Sequence, residues 1–298
     1  MAALVARGLQ QEKELACCLA GRSSNTVEQT GFRARERRLV AMNRFRCMIL
    51  VVGILALGGG EAMGADNGIN FDLTNDFFSK YIWRGQNVDD KSVLQPTLSA
   101  RAYGFTGSIW GNIDLTDRSQ TAPDNAWEFS EFDYTLDYTA TVPGADWLNF
   151  SVGAIYYRFP NTVFAPTTEI YGGLSLNGAP LSPSFKWYRD VAEIKGSYFQ
   201  FGLGHTFEKI KEWSEKCYCG LQLGASIGWA NSAYNRGYFG VNGSGGNDLT
   251  LTAGLPFCID SWTIKPSVNY STMLSDSIRS ATGRSDNFWV GVGIFTSF

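Results

Sequence analysis

A chain of 298 residues that is 44% hydrophobic and 14% aromatic can form one or two ordinary domains or a single larger β structure. Its apolar residues alternate with polar ones, and no continuous apolar run reaches the roughly 18 to 20 residues a spanning helix needs, which argues against a helical membrane protein. The formal charge of -3 includes no basic stripe of the kind nucleic acid requires. The mean hydropathy of -0.12 does not argue for a soluble protein, because a membrane barrel hides its signal in alternation.

Residues 1–41 have no expected place in the fold. They read either as a start codon assigned too early or as a presequence, since Arg33-Ala-Arg-Glu-Arg-Arg38 is basic enough for targeting. Residues 42–65 read as a secretory signal: a basic start at Met42-Asn-Arg-Phe-Arg46, an apolar stretch from Met48 to Leu57, and a small-x-small site at Ala62-Met63-Gly64. Cleavage after Gly64 or Ala65 leaves residues 66–298 as the mature part, with 16 basic and 23 acidic residues and a charge near -7.

In chain order, the alternating runs predict strands over 69–84, 93–104, 106–116, 128–140, 146–158 and 167–177, then 181–189, 196–207, 217–230, 247–257, 261–273 and 286–298. These make about twelve strands, an even number as bacterial single-chain barrels require, so the expected fold is an all-β, up-and-down antiparallel transmembrane barrel. Connections support it, because such barrels alternate short periplasmic turns with longer outer loops. Short turns are expected at Gly104 to Phe105, Thr141 to Ala145, Gly178 to Pro180 and Cys258 to Asp260. The charged run Glu208 to Lys216 is an exception that reads as a longer turn or one helical turn. The outer connections are Gly85 to Ser92, Asp117 to Trp127, Phe159 to Pro166, Asp190 to Lys195, Asn231 to Gly246 and Leu274 to Ser285. Of these, the glycine-rich Asn231 to Gly246 is expected to be mobile.

Aromatic residues should gather at both membrane interfaces. Tyr81, Trp83, Tyr156, Trp187 and Trp229 fall at the expected outer ends, and Trp147, Phe207, Phe257, Trp262 and Phe298 at the inner ends. In the last strand Phe288, Val290, Val292 and Ile294 share one face, with Phe298 in register, while Asn287, Gly291, Gly293 and Ser297 share the other. That alternation and the terminal aromatic predict a strand needed for assembly, with the barrel-assembly machinery and periplasmic chaperones as partners during insertion into outer-membrane lipid.

The stretch Leu73-Thr-Asn-Asp-Phe-Phe-Ser-Lys-Tyr-Ile-Trp-Arg-Gly85, followed by Gln95-Pro96, resembles the Gcw_chp or TorF family of outer-membrane proteins, whose members open with a strand ending in Tyr-x-x-Arg-Gly. The resemblance continues through Gly107, Trp110, Glu131-Phe-Asp-Tyr134, Gly153, Tyr156-Tyr157, Glu169-x-Tyr171, Gly173, Tyr188-x-Asp190 and Tyr198, covering most of residues 69–207. Asp137-Tyr138 and Phe159-Pro160 depart from the Gly-Tyr and Tyr-Pro usual there. The resemblance implies a barrel in the bacterial outer membrane and names no substrate.

If the apolar partners face lipid, the opposite parity faces the lumen. Asp72, Asp76, Lys80, Arg84, Arg101, Asp114, Glu131, Asp133, Asp137, Glu169, Lys186 and Lys265 all sort inward, where charges avoid the few kcal/mol each would cost against lipid. They could line a narrow pore for passive diffusion of small polar solutes, with a weak cation preference. Alternatively they could pair into a network that fills a structural or adhesive barrel and conducts nothing. Arg84 could meet solute carboxylates or phosphates with its planar fork, or pair with an acid on a neighbouring strand. Beyond the signal, the cysteines are Cys217, Cys219 and Cys258, which allow a disulfide from Cys258 to Cys217 or Cys219, or free thiols. Three thiols with no nearby His make a poor metal site, and no cofactor is expected. An enzyme is not expected, since the single histidine, His205, shares the parity of Phe201, Leu203 and Phe207, and Phe207 stands where the outer-membrane phospholipase pattern has a Ser two positions after its His.

Overall fold

The computed structural model describes residues 68–116 and 126–298, so the expectations for 1–41 and 42–65 and part of the Asp117 to Trp127 loop lie outside the described residues. In chain order the elements are β1 (Asn70–Phe78), β2 (Tyr81–Trp83), β3 (Gln86–Asp89), β4 (Val93–Ala102), β5 (Phe105–Asp114), β6 (Glu128–Val142), β7 (Ala145–Arg158) and β8 (Thr167–Leu176). There follow β9 (Ser184–Asp190), β10 (Ser197–Ser214), β11 (Cys217–Ala230), α1 (Ser232–Phe239), β12 (Gly245–Gly254), β13 (Phe257–Ile259), β14 (Trp262–Met273), α2 (Asp276–Thr282) and β15 (Asp286–Ser297).

Twelve antiparallel strands close into one barrel. From β4 through β12 each pairs with the next, and β14 and β15 continue the wall to β1, which pairs with both β15 and β4. The short β13 continues β12 between β11 and β14. Closure leaves no unpaired edge, which is what a sheet inside lipid requires. Every barrel strand also turns a large apolar residue outward into an exposed position: Phe77, Leu98, Ile109, Leu136, Val152 and Ile170, then Phe185, Phe201, Ile227, Leu251, Val268 and Val290. Such a wall is stable against hydrocarbon and unfavourable against water, and the chain is a β-barrel of the bacterial outer membrane.

The expected first strand, 69–84, is corrected. β1 stops at Phe78, the chain bends at Ser79-Lys80, and β2 and β3 form a separate two-stranded hairpin. Its two-residue loop, Arg84-Gly85, has both φ angles positive at 45° and 77°, the geometry of a tight turn whose twist matches its strands. Glycine is required at residue 85, because a Cβ there would come within 2.6 Å of the Asp248 Cβ. Tyr81 and Trp83, expected in the outer aromatic girdle, therefore leave the wall, and Tyr81 is buried.

Three connections also differ from expectation. The Glu208 to Lys216 run is strand up to Ser214, pairing with β11 across a register shift, and the turn is only Glu215-Lys216. The Asn231 to Gly246 connection carries α1, capped by Asn231, whose side chain accepts from the Tyr234 N–H, and ended by Gly240 in the left-handed region. Leu274 to Ser285 carries α2. The disulfide is not formed: all three cysteines are free, because the register sets Cys258 opposite Tyr218, leaving its neighbours Cys217 and Cys219 on the other face.

Candidate functional site

Strand pairing fixes which side chains share the lumen. Asp72 lies opposite Ser99 and Ser297, Asp76 opposite Gln95 and Gly293, and Arg101 opposite Asn70 and Thr106. Further round, Glu131 faces Asn112, Asp133 faces Trp110 and Tyr157, and Asp137 faces Thr106 and Gly153. Glu169 faces Asp190, Lys186 faces Gly173 and Gln200, and Lys265 faces Gly293. All of these positions have the parity opposite to the exposed apolar ring. The lumen they share has two halves.

The inner half, at the end of the short turns, carries both signs of charge within reach of water. Arg101 grips Asp72 through Nε at 2.7 Å and Nη2 at 2.8 Å, with its side chain still 52% exposed, and Ser297 donates to the same carboxylate at 2.8 Å. Asp137 accepts from Tyr171 at 2.6 Å and Thr139 at 2.7 Å, while the Lys186 Nζ lies 5.5 Å from the Tyr171 ring centroid. The Lys265 Nζ donates to Gln222 at 3.2 Å, and Asp76 and Lys265 flank Gly293 from the strands on either side of β15.

The outer half, at the end of the long loops, is filled by the β2–β3 hairpin with α1 packed beside it. Arg84, at the hairpin tip, reaches across to β8 and binds Glu169 with two parallel bonds of 2.8 and 2.7 Å. Both side chains are nearly out of water, 8% and 1% exposed. The faces of Trp83, Tyr188 and Tyr198 surround the guanidinium at 4.4 to 4.5 Å, a cage that fits a planar, weakly hydrated cation better than an ammonium. Tyr157 donates to Glu169 at 2.8 Å, and Tyr198 donates to Asp248 at 3.0 Å.

A second set of contacts fixes the other flank of the hairpin. Tyr81 stacks obliquely on Trp110, with ring centroids 5.6 Å apart. Asn87 donates to Asn287 of β15 at 3.0 Å. Below it, Gln95, Asn112, Ser130 and Asp114 form a buried chain of side-chain hydrogen bonds, from Gln95 to Asn112 at 2.9 Å and from Asn112 to Ser130 at 2.8 Å and Asp114 at 3.0 Å. Lys80, expected to line the lumen, instead holds Asp90 at the hairpin base at 2.9 Å, where Arg284 also meets it. Hydrogen bonds from Lys80 first, then Arg284 and Asn87, hold the Asp90 carboxyl below the usual carboxylate range.

The helix α1 completes the filling. Tyr234, Tyr238 and Phe239 pack with Tyr198, Met273 and Ile278 into one buried cluster. Gly196 allows this approach, since a Cβ there would lie 2.4 Å from the Tyr234 Cα. Between the hairpin and the wall of β6 to β8 remains a cavity of about 40 Å³, bordered by Trp83, Gln86, Glu131, Tyr157 and Phe164, with room for water and little else.

Sequence reading missed Asp89, Asp190, Asp248 and Tyr234. Asp248 shares the parity of Thr250 and Thr252 and was legible as inward. Asp190 caps its own loop, its Oδ1 accepting from the backbone of Ala192, Ile194 and Lys195. The cap at Asn231 and the glycine at Gly240 were the signal for α1. His205 stands on the lipid face, exposed, with its ring 4.5 Å from that of Phe207.

No family model and no curated protein matches the chain. Among solved structures it is similar to the KdgM porin, at 14% identity and a TM-score of 0.46 over 77% of this chain and 99% of that one. It is also similar to the NanC porin, at 11% identity and a TM-score of 0.45 over 76% of this chain and 98% of that one. LpxR from Salmonella typhimurium is similar at 10% identity and a TM-score of 0.48, over 76% of this chain and 99% of that one.

Proposed function

We propose that this barrel is a narrow channel for passive diffusion of small polar solutes, with the β2–β3 hairpin as a plug that restricts its outer end. The observation that carries this reading is the contrast between the two halves of the lumen. A charge kept in water, as the half-exposed Arg101 guanidinium is, suits a surface that solutes pass. In the inner half the inward charges Asp72, Asp76, Arg101, Asp137, Lys186 and Lys265 balance. Acids outnumber bases around the plug, which favours a weak preference for cations. We assign no catalytic role to His205, because it points to lipid and away from the lumen. Kinship with the Gcw_chp or TorF family remains part of this proposal and rests on the Tyr81-x-x-Arg84-Gly85 stretch.

A second reading, a structural or adhesive barrel that conducts nothing, is favoured by the Arg84–Glu169 pair, whose burial belongs to a permanent core as well as to a plug. Proteoliposome swelling in small sugars and amino acids separates the two. The wild-type barrel should swell the vesicles slowly, and a variant with residues 79–92 replaced by a short Gly-Ser linker should do so rapidly. A linker variant that shows a β spectrum in detergent yet leaves the vesicles impermeable would overturn the channel reading in favour of the structural one.

A further inference from the structure

The tip of the hairpin sits in a pocket that the barrel wall builds without it. Tyr157 of β7 donates to the Glu169 carboxylate of β8 at 2.8 Å, and Tyr198 of β10 donates to Asp248 of β12 at 3.0 Å. The Tyr188 ring of β9 packs against those of Tyr171 and Tyr198, with centroids 5.6 and 6.3 Å apart. All of these contacts run from wall strand to wall strand. A carboxylate and two aromatic faces, those of Tyr188 and Tyr198, are therefore held in place independently of the hairpin.

What that pocket holds is chemically specific. The two Glu169 oxygens take both arms of a planar fork at 2.8 and 2.7 Å, and the Tyr188 and Tyr198 rings stand 4.4 Å from the guanidinium carbon. An ammonium cannot make the two parallel bonds and gives up more hydration on entering. Arg84 supplies the fork from an unfavourable backbone, as the first loop residue of a two-residue turn with φ of 45°, a place that Asn, Asp and Gly take readily and Arg does not. Its side chain, and not the turn, accounts for the residue. The hairpin is also anchored away from its tip, through Asn87 to Asn287 and Asp90 to Arg284, so its base stays attached when the tip leaves.

Resting on the reading of the hairpin as a plug, we propose that the Glu169 pocket is a recognition site for a solute carrying a guanidinium group, and that Arg84 fills it as a tethered stand-in which such a solute displaces. One guanidinium leaves the carboxylate as another arrives, so Glu169 is never left buried and uncompensated, and the freed hairpin tip opens the outer half of the lumen. A group on a short tether competes as though present at about millimolar concentration, so the free solute acts in that range and above. A solute with an ammonium in place of the guanidinium leaves the plug seated.

Thermal unfolding of the folded Arg84→Ala barrel in detergent tests the pocket without depending on transport. Methylguanidinium chloride at about 1 to 20 mM, far below the molar range in which guanidinium denatures, should raise the midpoint by about 3 °C or more. Methylammonium chloride at the same concentrations should not raise it, and neither salt should raise that of the Arg84→Ala/Glu169→Ala double variant. If Arg84→Ala does not fold, the same titration is made on the variant with residues 79–92 replaced by the linker, which also leaves the pocket vacant. No rise with methylguanidinium, an equal rise with methylammonium, or the same rise without Glu169 would overturn the site. In vesicles, labelled L-arginine should enter through the wild type about fivefold faster than L-lysine or more, and the double variant should admit both alike. Equal entry of the two through the wild type would overturn the displacement of Arg84 by solute. If the linker variant admits neither, the channel reading fails while the titration still decides the pocket.

Discussion

Arg84 was the most pointed residue in the sequence, and its alternatives were a solute or an acid on the barrel. The structure gives it Glu169, 85 residues away, which no local pattern could have named. Parity alone put both side chains inside, since each charge at the lipid face carries a cost; which charges meet depends on the hairpin turning inward, and that turn is not written in the alternation. Removing one partner of a buried pair leaves the other uncompensated, a loss of about 3–5 kcal/mol. Arg84→Ala should therefore lower the temperature at which the folded band disappears in heat-modifiable gel migration. Arg84→Lys, which keeps the charge and loses the fork, should fall between. Equal midpoints for all three proteins would mean that the pair is not what holds the hairpin.

At the scale of elements, most of the strands were legible to within a few residues because each has two solvents, lipid outside and polar lumen inside, and a period of two is the only pattern that serves both. The expected strand at 217–230 is β11, and 286–298 is β15 within one residue. What did not read correctly were the elements with a single environment. β2 continues the alternation of β1 with Tyr81 and Trp83, so a run that ends in a separate hairpin looks like a run that continues as wall. The glycines of Asn231 to Gly246 suggested mobility, yet α1 sits there with Tyr234 wholly buried. Its seat on Gly196 can be tested. Gly196→Val would drive a side chain into the Tyr234 backbone and should lower the thermal midpoint and increase vesicle swelling, whereas Gly245→Ala, with nothing within 4 Å of the added carbon, should change neither. Identical behaviour of the two variants would show that α1 is not part of the outer closure.

For the whole molecule, closure depends on the two ends of the barrel chain meeting. Phe71 and Phe298 exchange backbone hydrogen bonds of 2.8 and 2.9 Å, and their rings stack at 5.9 Å, so the terminal aromatic that marked the sequence also seals β15 to β1. Composition and parity identified a charged lumen in an outer-membrane barrel; they could not separate a conducting lumen from a paired one, because both place the same charges on the same face. The structure divides these alternatives by depth, with water-reached charges in the inner half and a packed ion pair in the outer half. The proposed reading, a channel restricted by its own hairpin, rests on this division. Planar-bilayer recording in a salt gradient tests that claim most directly, comparing wild-type barrel with the variant lacking residues 79–92. Small, infrequent steps from the wild type, larger sustained steps from the variant, and a reversal potential shifted modestly toward cations are the expected result. A wild type that conducts as freely as the variant, or a folded variant that conducts nothing, would contradict it.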